Sequence, residues 1–169
     1  EADALGDPDG ARRTLGWIAD IPPDALLAFR WWIDRARAWI SVAEGDVAAG
    51  IERSLELADR HDGEWLYVTL SLHDVVRLGR ADRVLDALVA AADRPGATWL
   101  DQICRDHAVA AATSDAAALL RVAEHFEACG LELLAMEAAA DATRADGVTR
   151  GEQADAEERI ARLGERCGP

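Results

Sequence analysis

His73 and His107 stand 34 residues apart, and Trp39 and Asp141 fall on the same row at that step. Imidazole titrates nearest neutrality and uses either ring nitrogen as donor or acceptor, so two in register could contact a ligand or move a proton. A second constellation is Cys104, His107, His125 and Cys129, whose i,i+3 and i,i+4 steps are spacings at which helical side chains could share a metal ion. Buried thiols and hydrogen-bonded histidines explain those four with fewer assumptions, so no metal is expected. Carboxylates pair at i,i+4 in Glu52 with Glu56, Asp82 with Asp86 and Glu137 with Asp141, and solvated helix faces account for them. General acid–base work needs a cleft that shifts a pKa, and the sequence supplies no such setting. It contains no glycine-rich phosphate loop, no Gly-x-Ser-x-Gly elbow and no His-Glu-x-x-His. The expectation is a chain that is not an enzyme and needs no cofactor.

Composition narrows the partners. A formal net charge of −14 and a pI near 4.6 exclude a basic stripe, so no nucleic-acid contact is expected from this segment. All 18 basic residues are arginines, as expected of a chain coded by GC-rich DNA. The three cysteines, Cys104, Cys129 and Cys167, are an odd set without a Cys-x-x-Cys pair, which suits a reducing cytosol better than a disulfide framework. No apolar run approaches the length of a membrane span, so neither membrane insertion nor a signal peptide is expected and the location is read as cytoplasmic.

The elements that must position these residues follow from a repeat. Gly45, Gly79, Thr113 and Gly147 recur every 34 residues, and Trp31, Trp65, Trp99 and Leu133 keep the same step. That interval is the tetratricopeptide period, a pair of helices that stacks on its neighbours into a solenoid. The fold class is therefore all-α, a tetratricopeptide-like α-solenoid over 1–169, with a leading helix at 8–20 and helix hairpins at 24–62, 63–96, 97–130 and 131–167. Gly63, Gly96, Gly130 and Gly164 mark the breaks between hairpins.

Along the chain, Asp7 caps the leading helix and Pro22-Pro23 stop it. Asp24 caps the next, which buries Trp32, Ala36, Trp39 and Ala43 and turns Asp34 and Arg37 to water. Gly45 ends that helix in the left-handed conformation and Asp46 caps its partner, which buries Val47, Ile51, Leu55 and Ala58 and pairs Glu56 with Arg60. In the second hairpin Trp65, Val68, Leu72 and Val75 form the apolar stripe, and Thr69, His73 and Arg77 a polar one. Leu100, Ile103, Cys104 and Val109 face Leu119, Val122, Ala123 and Phe126 in the third, where Ser114 caps and Thr113 ends the preceding helix. The fourth carries a Thr149/Glu152 capping box and an apolar stripe of Ala156, Ile160, Leu163 and Cys167. The doubled indole Trp31-Trp32 must place one ring away from the core.

The phrases RARAWISVAEGDVAAGIE, LSLHDVVRLGRADRV, HFEACGLELLAMEAAADATRADG and RIARLGERCG resemble the helical-repeat region of large LuxR-type transcriptional regulators of actinobacteria, over most of residues 7–167. In that family an N-terminal nucleotide-binding module, often an ATPase, precedes the repeats and a helix-turn-helix DNA-binding domain follows. The chain starts at Glu1 and closes on Gly168-Pro169, as expected of a piece of a longer polypeptide, and its uncapped ends favour homodimerisation or fraying. The resemblance implies a non-catalytic sensor or coupling domain that transmits effector or partner binding to a DNA-binding domain elsewhere in the polypeptide. Its partners would be flanking domains and a small-molecule or protein effector. It also implies that the row of Trp39, His73, His107 and Asp141 looks into the concave groove. With Trp32 and Arg77, these residues make the candidate ligand or partner surface. The alternative is a protein–protein scaffold or self-association module that binds no effector.

Overall fold

A computed structural model describes residues 7–19, 21–22, 26 and 29–167. The described residues include nine α-helices and a short 3-10 turn at Ala81–Arg83, with no strand among them. The chain divides into two compact units, residues 1–78 and 79–169.

The first unit holds α1 (Pro8–Ala19), α2 (Arg30–Ala43), α3 (Val47–Arg60) and α4 (Trp65–Arg77). Residue 24, expected to cap α2, lies outside the described residues; the helix starts at Arg30 behind Phe29, whose side chain makes no cap hydrogen bond. Between α2 and α3, Gly45 adopts φ 90°, a conformation in which a Cβ would press on the adjacent carbonyl, and Asp46 accepts from the Ala49 amide at 2.9 Å. So short a connection turns the chain back on itself. Arg60 at the end of α3 accordingly donates to Asp34 near the start of α2 at 3.1 Å, and this cross-hairpin pair replaces the expected contact with the Glu56 carboxylate.

The second unit begins with the 3-10 turn Ala81–Arg83 and continues through α5 (Leu85–Asp93), α6 (Trp99–Thr113), α7 (Ala116–Ala128), α8 (Glu132–Thr143) and α9 (Arg150–Cys167), each helix packed on the next. The α6–α7 corner departs from expectation. Ser114 does not cap; it is the left-handed residue itself, at φ 53°, and Asp115 takes the capping role by accepting from the Ala118 amide at 2.9 Å. The Ser114 hydroxyl is thereby released to accept the Asp146 amide at 2.9 Å. A capping box forms at Thr149/Glu152, and another, not anticipated, at Thr98/Asp101. Gly164 breaks nothing: it sits inside α9, which runs on to Cys167.

Several helices are turned differently about their axes than the apolar periodicity alone suggests. Trp31 rather than Trp32 points into α2's buried side, at 2 % against 50 % exposure. Val47 and Val109 are exposed, Ser54 and Leu57 are buried on α3, and His107 occupies the core side of α6. α8 turns four alanines inward, Ala135, Ala138, Ala139 and Ala142, each fully buried. Side chains this small let α7 and α9 close upon it from either side.

Candidate functional site

In the first unit, α2 and α4 are joined by a ladder of long polar and aromatic side chains. The Trp31 indole Nε1 donates to the Ser71 hydroxyl at 3.1 Å, and its ring stacks on Tyr67 with centroids 4.9 Å apart. One turn further, Arg35 grips Asp74 with two bonds, Nε to Oδ2 at 2.6 Å and Nη2 to Oδ1 at 2.7 Å. Arg77 donates to the same Asp74 at 3.1 Å and lays its guanidinium 4.3 Å from the Trp39 ring centre. The contacts climb both helices in the same sense, so α2 and α4 run parallel.

Desolvation makes this ladder costly to break. Asp74 is buried and held by two guanidinium groups, so its removal takes a shared counter-charge from two buried or half-buried cations. Thr69, Ser71 and His73 complete a stripe of buried polar residues on α4. The polar stripe of Thr69, His73 and Arg77 faces inward instead of forming a ligand surface: all three side chains are buried, and Arg77 meets the Trp39 ring of α2 and its own helix's Asp74.

The candidate surface residues separate accordingly. Trp39, His73 and Arg77 are buried within the first unit, and His107 within the second, so none of these four presents a side chain to solvent. Trp32 is half exposed, and Asp141 is partly exposed. His107 lies 3.5 Å by its Nε2 from Asp141 Oδ2 and meets the Phe126 ring edge-on at 5.7 Å. Cys104 is buried, whereas His125 and Cys129 are exposed, and no three His, Cys, Asp or Glu side chains among the described residues are grouped to hold a metal ion.

Two features of the second unit escape sequence reasoning. Glu127 on α7 collects Arg159 at 2.7 Å and Arg162 at 2.9 Å from α9, and Arg166 bridges on to Glu132. The Arg162 hydrogen bond, with the charges of all three arginines, holds the Glu127 carboxyl at about 2 against its ordinary 4.5. The other feature is a surface groove of about 460 Å³ along α6 and α7, with the buried Ala110 and Val122 in its floor. Asp106, Val109, Thr113, Asp115, Ala118, Arg121 and His125 line the rest.

Neither feature, among the described residues, brings a nucleophile together with a base or forms a phosphate cradle. Compared with protein-family models, with curated proteins and with solved structures, the chain matches none. No helix among the described residues is long and apolar enough to cross a membrane.

Proposed function

We propose that this chain is a non-catalytic helical-repeat module that couples effector or partner binding to domains elsewhere in its polypeptide, in the manner of the repeat region of a LuxR-type regulator. The observation that carries the reading is the same-sense pairing of helices one repeat apart. In the first unit Trp31 meets Ser71, Arg35 meets Asp74, and Trp39 meets Arg77. In the second His107 meets Asp141 and Ser114 meets Asp146. A tetratricopeptide-like solenoid has this property, since equivalent helices of adjacent repeats lie side by side. Left-handed residues at 45, 79 and 147 keep the 34-residue step, and Ser114 stands one residue past it.

Coupling requires two arrangements with different affinity for the effector. A junction built of oriented charges, as between α2 and α4, has defined geometry and resists continuous deformation, which suits an element that switches rather than bends. A cytoplasmic setting, no cofactor and no nucleic-acid contact by this segment belong to the proposal. The test is the parent polypeptide carrying the milder Arg77→Lys beside Asp74→Ala, each shown by circular dichroism to keep its helices, assayed for DNA affinity and by solution scattering with candidate effectors. Altered effector response with an intact DNA-binding domain supports coupling; superposable scattering profiles and unchanged DNA affinity count against it.

One observation favours the scaffold reading. Phe29, Trp32, Trp65 and Leu66 are exposed at 59 %, 50 %, 39 % and 54 % where α2 and α4 begin. Clustered apolar surface of this kind marks protein association. Sedimentation of the chain over a range of concentrations, alongside Trp32→Ser and Leu66→Glu, distinguishes self-association through this end from its absence.

A further inference from the structure

We infer that the groove between α6 and α7 is a binding site for a small amphipathic organic anion, an acid group on a compact aliphatic or aromatic body. As an effector site this deepens the coupling reading above and rests on it for its biological role; as a binding site it stands on the groove alone.

The volume of about 460 Å³ is that of a small-molecule cleft. Part of its lining is apolar: Ala110 and Val122 are buried beneath it, and Val109 keeps 41 % of its surface exposed at the side, while polar side chains make up the rest. An aliphatic body lying there would remove the Val109 side chain from water.

The polar rim decides the sign of the ligand, because its groups differ in whether they are already satisfied. Asp106 is neutralised by the neighbouring Arg105, which bonds its Oδ1 at 2.9 and 2.7 Å. Asp115 is committed to the first turn of α7 through the Ala118 amide at 2.9 Å, where the helix dipole further offsets its charge. The Thr113 hydroxyl donates to the Val109 carbonyl at 2.8 Å. Arg121 and His125 remain. They stand four residues apart on α7, hence on one face, both line the groove, and neither side chain has a hydrogen bond or ion pair among the described residues. Asp106 is paired with a guanidinium and Asp115 is engaged as a cap, whereas both basic groups have donors to spare, so the groove's unspent recognition is for an anion. Arg121 would supply the planar fork that grips a carboxylate in two bonds, and His125 one further donor.

The test is a titration of the isotopically labelled chain followed by amide NMR shifts, with octanoate, 1-octanol and octylammonium as tail-matched probes and inorganic phosphate as a headgroup alone. Octanoate is expected to give saturable shifts at residues 106–125, with affinity at least about fivefold above that of octanol, and Arg121→Glu is expected to lower octanoate affinity about tenfold or more. Arg53→Glu, an exposed arginine of α3, is the matched control and should leave octanoate binding unchanged. Equal or tighter binding of octylammonium, full affinity in Arg121→Glu, or no saturable shift by roughly 10 mM octanoate would each overturn the assignment. Phosphate binding as tightly as octanoate would overturn the amphipathic part of it, showing an anion contact that makes no use of the apolar floor. DNA affinity of the parent polypeptide with and without octanoate then reads the coupling separately, so that groove and coupling can fail independently.

Discussion

Arg77 sits over the face of Trp39 at 4.3 Å and donates to Asp74 at 3.1 Å, so one buried guanidinium ties an aromatic ring of α2 to a carboxylate of α4. The Trp39 Nε1–H has no hydrogen-bond partner among the described residues; the cation above the ring is the polar contact this indole makes instead. Cation–π attraction grows when both groups are desolvated, as here.

Removal of the shared anion should therefore exceed the effect of altering either cation. Asp74→Ala removes the buried carboxylate that Arg35 and Arg77 share and is expected to destabilise the first unit by about 3–5 kcal/mol. Arg77→Lys keeps the charge but loses the flat fork over Trp39, at about 1–2 kcal/mol. Urea denaturation followed by Trp fluorescence measures both; five of the six tryptophans lie in the first unit. Equal effects of the two substitutions would refute the central role of Asp74.

Three glycines should respond to alanine with different signs. At Gly50 a Cβ would overlap the Val42 side chain and stand 3.3 Å from the Ala38 carbonyl oxygen, so Gly50→Ala should force α2 and α3 apart and cost about 1–3 kcal/mol despite alanine's better helix propensity. Gly45 has open space but φ 90°, and Gly45→Ala should cost about 1 kcal/mol through backbone strain alone. Gly164 is helical with nothing near it, and Gly164→Ala should stabilise by up to about 1 kcal/mol. Melting temperatures of the three variants give the signs directly.

The alanine face of α8 predicts intolerance of bulk. Ala139 is fully buried, and Ala139→Leu should destabilise the second unit by about 1–3 kcal/mol or displace a neighbouring helix. Amide exchange across α7, α8 and α9 would locate the disturbance; unchanged protection there would show that the interface is looser than its burial indicates.

Acid should loosen the second unit through Glu127. Its folded-state pKa of about 2 lies below the ordinary 4.5, so the stabilisation from its arginine network is complete above about 4.5 and is lost as pH falls toward 2. Glu127→Gln removes that pH-dependent part while keeping the side chain's shape. Helicity followed by circular dichroism between pH 5 and 2 should fall less steeply in the variant, relative to its own neutral value, than in the parent.

Much of the secondary structure could be read from spacing. The α2–α3 corner at Gly45-Asp46 and the Thr149/Glu152 box were legible because a left-handed residue and a cap are local chemistry, decided within four or five residues. Ser114 was misassigned as a cap because serine and aspartate both cap, and only the φ of 53° shows which of Ser114 and Asp115 does so. The candidate surface was legible as a spacing and not as a face. The row of Trp39, His73 and His107 is buried, since a polar side chain on a helix may point to water or to a partner helix, and the partner is distant in sequence.

The sequence by itself determined that this chain is helical, where many of its helices begin and end, and that its surface is acidic, because propensity, capping and charge are properties of short segments. Tertiary structure decided which side of each helix is inside and which charges are spent. Asp74 became a buried hub through Arg35, 39 residues away, and Glu127 gathered three arginines from α9. In the groove, Arg105 neutralises Asp106 and the α7 amides hold Asp115, leaving Arg121 and His125 on the rim. Ion pairing acts through space at a few ångströms, and although His107 and Asp141 meet at one repeat step, the period singles out neither Asp74 nor Glu127.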